Sequence, residues 1–201
     1  MKRRGALPIF PTPLAGCDEV GRGCLAGPVF AAAVVLQSKK NLSRLRDSKL
    51  LSEKEREEIA PCIWNDHAVG LSFATVAEID EINILQASFL AMRRALADLL
   101  HRTGLHPAHV VVDGHLPIPG WTGAQTPVVD GDAQVKEISA ASIVAKVARD
   151  QIMREWAERY PQYDFEKNKG YGSKKHREAL QIHGPCPIHR KTFSGVKELL
   201  A

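Results

Sequence analysis

The chain has 201 residues, enough for one domain with a sizeable core, and its 44% hydrophobic and 25% charged residues are typical of a soluble globular protein. No stretch of about 20 apolar residues is present, which excludes a transmembrane helix. The net charge of +4 is modest, and the four cysteines have no CxxC spacing, so we expect reduced thiols in a cytoplasmic protein.

The first part of the chain predicts a strand and a helix behind a short tail. Residues 1–14 contain prolines that break any apolar signal region, so we expect an exposed tail leading into a first strand. The continuous apolar run 28–36 predicts a buried strand. Ser52 and Glu55 have the spacing of a capping box, so a helix is expected to start there, with Pro61 as the candidate for its end.

Strands and helices continue to alternate up to residue 160. Residues 69–76 alternate in polarity and predict a half-buried strand. Residues 81–104 form the clearest helix, because apolar residues recur at spacings of three and four before a glycine. Short strands are predicted over 109–114 and 126–132, and a long helix over 139–160. This alternation favours an α/β sheet.

The last fifth of the chain is basic and broken by glycine and proline. It has room for two short helices, which predicts a helical appendage. From residue 160 onwards it holds eight Lys and Arg against four Asp and Glu, so the whole positive excess lies there. This indicates a polyanionic partner, with a solvated basic face as the alternative. A zinc site at His183, Cys186 and His189 is disfavoured, since no fourth ligand is evident.

Four acidic residues stand where the chain changes direction. Asp18 and Glu19 lie near the first strand, Asp113 ends a later strand, and Asp132 lies in the turn before the long helix. Carboxylates at strand ends can converge in α/β folds, and oxygen ligands suit Mg²⁺. The alternative is structural, because Asp-Gly pairs are common in turns and adjacent acids can form a surface pair.

The adjacent acids pose a geometric difficulty. Neighbouring residues of a strand point to opposite sides of the sheet. Asp18 and Glu19 can serve one site only if the backbone bends there or if one of them acts from a distance. Glycines at 21 and 23 would allow an irregular backbone.

Several motifs, taken in order, resemble those of type 2 ribonuclease H, the ribonuclease HII family. They are "DEVGRG" followed by "LAGPV", then "DSKLLS", "VVDG", "GDAQVKEISAASIVAKVARD", "NKGYGSKKH" and "HRKTF". The resemblance covers residues 15 to about 197 and implies an RNase H-like mixed sheet of about five strands flanked by helices. It implies a catalytic domain over 15–160 and a basic helical segment over 161–201 packed on the same domain.

The resemblance also implies an activity. It implies a monomeric endonuclease that cuts the RNA strand of RNA–DNA hybrids and cuts 5′ of single ribonucleotides embedded in duplex DNA. The reaction implied is in-line hydrolysis assisted by two Mg²⁺ or Mn²⁺ ions, leaving 5′-phosphate and 3′-hydroxyl ends.

Specific site residues follow from the matched motifs. The family's metal-binding acids fall on Asp18, Glu19, Asp113 and Asp132. Asp150 of "VARD" also matches a family position, but it lies well inside the long helix, and we expect it to be structural.

Substrate contacts are implied at a second set of residues. The family's glycine-arginine-glycine motif falls on Gly21, Arg22 and Gly23, and the tyrosine that reads the ribose falls on Tyr171. A ribose 2′-hydroxyl both donates and accepts hydrogen bonds, so it distinguishes RNA from DNA. Arg22 could contact a phosphate or form a structural salt bridge. For Lys49 and Lys146, phosphate contact and pairing with nearby acids are both open.

One departure and two other functions remain to be considered. Relatives often carry lysine where this chain has Asp130, which we expect to face solvent. A non-catalytic nucleic-acid-binding module is the main alternative, and the full set of acids argues against it. A nucleotide-binding protein is disfavoured, because neither GxxxxGK[ST] nor GxGxxG is present.

Overall fold

The centre of the molecule is a five-stranded mixed sheet, in a computed structural model that describes residues 7–38, 45 and 50–200. The strands are β1 Leu14–Val20, β2 Val29–Val35, β3 Ala68–Ala74, β4 His109–Asp113 and β5 Gln125–Val128. Their order in the sheet is β3-β2-β1-β4-β5. The pairs β1–β2 and β2–β3 are antiparallel, whereas β1–β4 and β4–β5 are parallel.

Helices cover both faces of this sheet, which confirms the predicted α/β architecture. They are α1 Glu53–Asp66, α2 Val76–Thr103, α3 Lys136–Arg159, α4 Phe165–Asn168 and α5 Lys174–His183. On one face, α2 buries Leu96 and Leu99 against the sheet. On the other face, α1 and α3 bury Ile63 and Ile143. Strand β2 lies between these layers with every residue buried, which explains its continuous apolar sequence.

Close contact between α3 and β1 depends on a glycine. A Cβ atom at Gly16 would lie 2.1 Å from the backbone carbon of Glu137, in the first turn of α3. Any side chain at Gly16 would therefore push the start of α3 away from the sheet. The turn that precedes α3 carries Asp132, so this contact also fixes the position of an acid.

The predicted elements are confirmed, with differences at their ends. The capping box of Ser52 and Glu55 starts α1 as expected, but Pro61 lies inside that helix and does not end it. Helix α2 starts earlier than expected, because Thr75 and Glu78 form a second capping box. Asn83 then interrupts α2 with a φ of 66°, and its side-chain oxygen accepts hydrogen bonds from the amides of Leu85 and Gln86 in the next turn.

The C-terminal segment packs against the second half of α3. Residues 161–200 contain α4, α5 and two short 3₁₀ helices, Pro161–Tyr163 and Lys197–Leu199, and they bury Tyr163, Phe165 and Leu180 beside Met153 of α3. Within the described ranges, no helix is both long and apolar enough to cross a membrane.

Two buried histidines join α5 to the segment that follows it. The Nε2 atoms of His176 and His189 are 3.0 Å apart. The Cys186 amide donates to Nδ1 of His189, so His189 carries its proton on Nε2 and donates to His176. His176 then carries its proton on Nδ1 and donates to the Tyr171 carbonyl. Both rings are neutral in this chain of hydrogen bonds, and a further proton would break it.

Acidification should destabilise the fold through this pair. Burial lowers the pKa of His176, and burial together with repulsion from His176 lowers the pKa of His189 to about 4. The unfolded chain binds these protons near pH 6.5, so their contribution is complete above that pH and is lost as pH falls towards about 4. We expect the free energy of unfolding to fall by about 2 kcal/mol over this window.

Denaturant titrations between pH 7.5 and 4.5 measure this change. A variant with both His176→Gln and His189→Gln should lose about 2 kcal/mol less stability than the wild type over this range, while His101→Gln on the exposed surface of α2 should behave like the wild type. A full-sized slope in the double variant would contradict the assignment to this pair.

Candidate active site

A cavity of about 310 Å³ opens at the carboxyl end of β1 and β4. All of the predicted site residues that the structure describes line it: Asp18, Glu19, Gly21, Arg22, Gly23, Asp113, Asp132, Lys146 and Tyr171. Lys49 lies outside the described residues. Residues from five separate parts of the sequence therefore meet at one place.

Parallel pairing brings three of the acids together. The ladder between β1 and β4 ends at Cys17 and Val112, and the next residues of the two strands are Asp18 and Asp113. Glu19 follows Asp18 at the same edge. Because the strands are parallel, their carboxyl ends lie side by side, and so do these carboxylates.

The backbone of β1 does not bend at the two adjacent acids. Asp18 stands opposite Ala32 on the α3 face, and Glu19 stands opposite Ala31 on the α2 face. Both side chains nevertheless line the cavity, because they lie where the strand ends. Because the register of β1 shows no bend at these residues, the possibility that remains is that one of the two acids acts from a distance.

The turn after β5 ties the fourth acid to the third. Asp132 is buried in a short 3₁₀ helix, Gly131–Ala133. The Gly131 amide donates to Oδ1 of Asp113 over 2.7 Å. A Cβ atom at Gly131 would lie 2.5 Å from Cδ1 of Ile138 and 3.2 Å from Oδ1 of Asp113, so a side chain there would have to displace the end of Ile138. Asp130, just before it, is exposed as expected and does not line the cavity.

The carboxylates of the site are shielded from solvent by burial, and they repel one another. Burial raises the pKa of Asp18 well above its usual range, and repulsion from Glu19 and Asp113 adds to the effect. Burial also raises the pKa of Glu19, although the nearby Arg22 guanidinium opposes this. A bound cation would relieve this repulsion.

The donor chemistry suits a hard divalent cation. The potential ligands that line the site are the four carboxylates and the hydroxyls of Ser142 and Tyr171, with no histidine or cysteine among them, and such oxygen donors favour Mg²⁺ and Mn²⁺ over Zn²⁺. Across residues 7–38, 45 and 50–200, no group of three or more acidic, histidine or cysteine side chains is already gathered closely enough to hold an ion. The carboxylates would therefore have to move closer to each other around a metal.

The glycine loop after β1 has two different glycines. Gly21 has a φ of 94°, and a Cβ atom there would lie 2.2 Å from Nε of buried Arg149. Nothing lies within 4 Å of a Cβ atom at Gly23, which faces open space. Between them, Arg22 is exposed, and its Nη1 lies 3.1 Å from Oε1 of Glu19. Its salt bridge is thus with a proposed metal ligand.

Tyr171 and Lys146 also line the cavity and lie close to each other. Tyr171 is 42% exposed, and the Lys146 ammonium lies 5.7 Å from the centre of its ring. Burial beside Cys24 raises the pKa of Tyr171 to about 12, so its hydroxyl keeps its proton at neutral pH. Lys146 also pairs with Asp150 at 2.7 Å. Asp150 is buried and does not line the cavity, in keeping with the structural role expected for it.

Sequence reasoning missed several residues of the site. Arg56 and Ser142 line the cavity. Two buried arginines behind the glycine loop, Arg149 and Arg190, donate to main-chain carbonyls. Both lie in sequence motifs that resemble the family, Arg149 in "VARD" and Arg190 in "HRKTF". Their burial could not be predicted from the sequence, because most arginines are exposed and nothing in the local sequence marks a buried one.

Comparisons with known proteins agree with the family resemblance that the sequence motifs indicate. A family model described as ribonuclease HII matches residues 15–196. A ribonuclease HII from Endomicrobium trichonymphae is 50% identical over 192 residues, which cover 94% of this chain and 89% of that protein.

Solved structures share the fold. The crystal structure of ribonuclease H2 from Pyrococcus horikoshii OT3 has a TM-score of 0.72 and 26% identity, covering 92% of this chain and 96% of that one. The crystal structure of Bst-RNase HIII in complex with Mn²⁺ has a TM-score of 0.71 and 16% identity, covering 93% and 68%.

The two glycines of the loop should respond differently to the same change. Gly21→Ala should destabilise the protein by about 1–3 kcal/mol, because the new methyl group meets Arg149 and the backbone is left-handed there. Gly23→Ala should change stability by less than about 0.5 kcal/mol, since its methyl group meets open space. Thermal and denaturant unfolding of the two variants measures the difference, and equal destabilisation would contradict it.

Proposed function

The chain belongs to the ribonuclease HII family of metal-dependent endoribonucleases, which cut the RNA strand of RNA–DNA hybrids, and we propose that it also cuts 5′ of single ribonucleotides in duplex DNA. We propose in-line hydrolysis with two divalent ions, leaving 5′-phosphate and 3′-hydroxyl ends. The observation that carries the proposal is the meeting of four carboxylates with an open glycine loop in one cavity.

The metal would be held by the four acids of the strand ends. They are Asp18, Glu19, Asp113 and Asp132. Divalent metal supplies neutralisation of the scissile phosphate and activation of the attacking water. Magnesium and manganese both fit an oxygen-only donor set, and a fold relative was crystallised with Mn²⁺.

Recognition of the ribose is the role proposed for the glycine loop and Tyr171. With no side chain at Gly23, the sugar can approach the main chain of the loop closely. A main-chain amide can donate to a 2′-hydroxyl, which a deoxyribose lacks. Tyr171 presents its exposed ring and a protonated hydroxyl from the facing wall.

Cationic side chains around the cavity would bind the strand backbone. Lys146 and Arg22 line the cavity. Lys146 forms a salt bridge with Asp150 and Arg22 forms one with Glu19, and each cation would also contact a phosphate of the bound strand. The basic residues after position 160 would bind the duplex backbone independently of its sequence. Binding should therefore weaken as salt rises. We further propose that the protein acts as a monomer in the cytoplasm.

A non-catalytic nucleic-acid-binding module would also use this basic surface. It would have no need for four carboxylates whose mutual repulsion is costly in a cavity meant for a polyanion. The decisive assay incubates the protein with duplex DNA containing one ribonucleotide, with and without divalent cation, and maps the cut. Binding without any metal-dependent cleavage would favour the module.

Asp113→Asn should abolish cleavage while keeping the fold. The amide retains the oxygen that accepts from the Gly131 amide, but it loses a charge that holds the metal. We expect the cleavage rate to fall by at least about 100-fold with little change in melting temperature. Asp130→Asn is the matched control, because that carboxylate is exposed nearby, and its rate should stay within about twofold of the wild type.

Gly23→Ala tests the proposed approach of the sugar. Because the new methyl group has room in the free protein, a loss of activity would indicate a clash between this methyl group and the bound substrate. We expect kcat/KM on the single-ribonucleotide duplex to fall by at least about tenfold, a transition-state loss of about 1.4 kcal/mol. An unchanged kcat/KM would mean that the sugar does not approach this position.

A further inference from the structure

Arg190 is a buried cation that serves the backbone of one loop. Its side chain is 0% exposed, and each of its guanidinium nitrogen atoms donates to a carbonyl. The acceptors are the carbonyl oxygens of Gly27 at 2.9 Å from Nε, of Arg22 at 2.8 Å from Nη1 and of Gly21 at 2.6 Å from Nη2. The ring of Phe193 lies under the guanidinium at 5.0 Å.

These bonds fix the direction of two peptide groups. In a trans peptide, the carbonyl and the following amide point in opposite directions. With the carbonyls of Gly21 and Arg22 turned towards Arg190, the amides of Arg22 and Gly23 must point away from it. Those amides belong to the loop that lines the cavity. Arg190 therefore determines where the main chain can donate to a bound sugar.

We propose that Arg190 is a positioning residue that sets the discrimination between ribose and deoxyribose. The inference rests on the proposed function, because it assigns the cause of selectivity to a residue outside the cavity. Arg190 does not line that cavity and is placed to act only through the loop.

The chemistry of arginine suits this role. Its planar fork presents donors in several fixed directions, whereas a lysine ammonium is a single point that cannot span three carbonyls. The segment that carries Arg190 is itself anchored from α2. Asp80 accepts hydrogen bonds from the amides of Lys191 and Thr192, both over 3.0 Å. Arg190 is thus fixed at its side chain by the carbonyls of the loop and at its backbone by the anchored residues that follow it.

The test compares equilibrium binding of two duplexes, in EDTA to prevent cleavage. One duplex is all DNA, and the other has the same sequence with a single ribonucleotide. In Arg190→Lys, we expect the preference for the ribonucleotide duplex to fall about tenfold, equivalent to about 1.4 kcal/mol. Affinity for the all-DNA duplex should stay within about twofold, because the charge and the basic surface remain.

Leu99→Ala provides the control for general destabilisation. Leu99 is fully buried between α2 and the sheet, so its truncation loosens the core without touching the loop. The Leu99→Ala variant should prefer the ribonucleotide duplex over the all-DNA duplex as strongly as the wild type does. Equal loss of preference in both variants would overturn the proposal, as would an unchanged preference in a folded Arg190→Lys.

Asp80→Asn decides the matter if Arg190→Lys does not fold. Asparagine keeps the shape of the anchor but weakens its bonds to the Arg190 segment, so the preference should fall about threefold, or about 0.65 kcal/mol. An unchanged preference would overturn the proposal. A wild-type protein that neither prefers nor cuts the ribonucleotide duplex would instead refute the proposed function.

Discussion

The parallel pairing of β1 with β4 is the constraint on which the site depends. It ends at Cys17 and Val112, and it delivers Asp18 and Asp113 side by side at one edge of the sheet. The two strands are distant in sequence, so only the sheet can hold these carboxylates together. The fourth acid joins them through the Gly131 amide. Every other part of the cavity is built around this edge.

Holding like charges together has a cost, which the surrounding structure compensates. The apolar layers on both faces of the sheet stabilise the strands that carry the acids. The carboxylates gain partial compensation from Arg22 and from main-chain donors. Arg190 donates to two carbonyls of the glycine loop, and Arg149 packs against Gly21 while it donates to carbonyls outside the loop. Two guanidinium groups therefore lie behind the place proposed for the sugar and its phosphates.

The sequence predicted the sheet and most of the cavity, because both leave local patterns. Continuous apolar runs, two-residue alternation and the capping box at Ser52 marked the elements, and the matched motifs marked the acids. It did not predict the break at Asn83, where the asparagine side chain caps the turn that follows, or the continuation of α1 through Pro61. The buried arginines could not be predicted either, because their partners are carbonyls, which every residue possesses.

The bonds of Arg190 also have a consequence for how the protein matures. They join residues separated by 168 and 169 positions, so the loop can be completed only after a long stretch of chain has been synthesised. Closing so long a stretch of chain is entropically costly and slow relative to local structure. On the ribosome, the sheet edge can assemble well before the loop is locked. A nascent chain would thus gather the acids of the sheet edge before Arg190 can fix the loop.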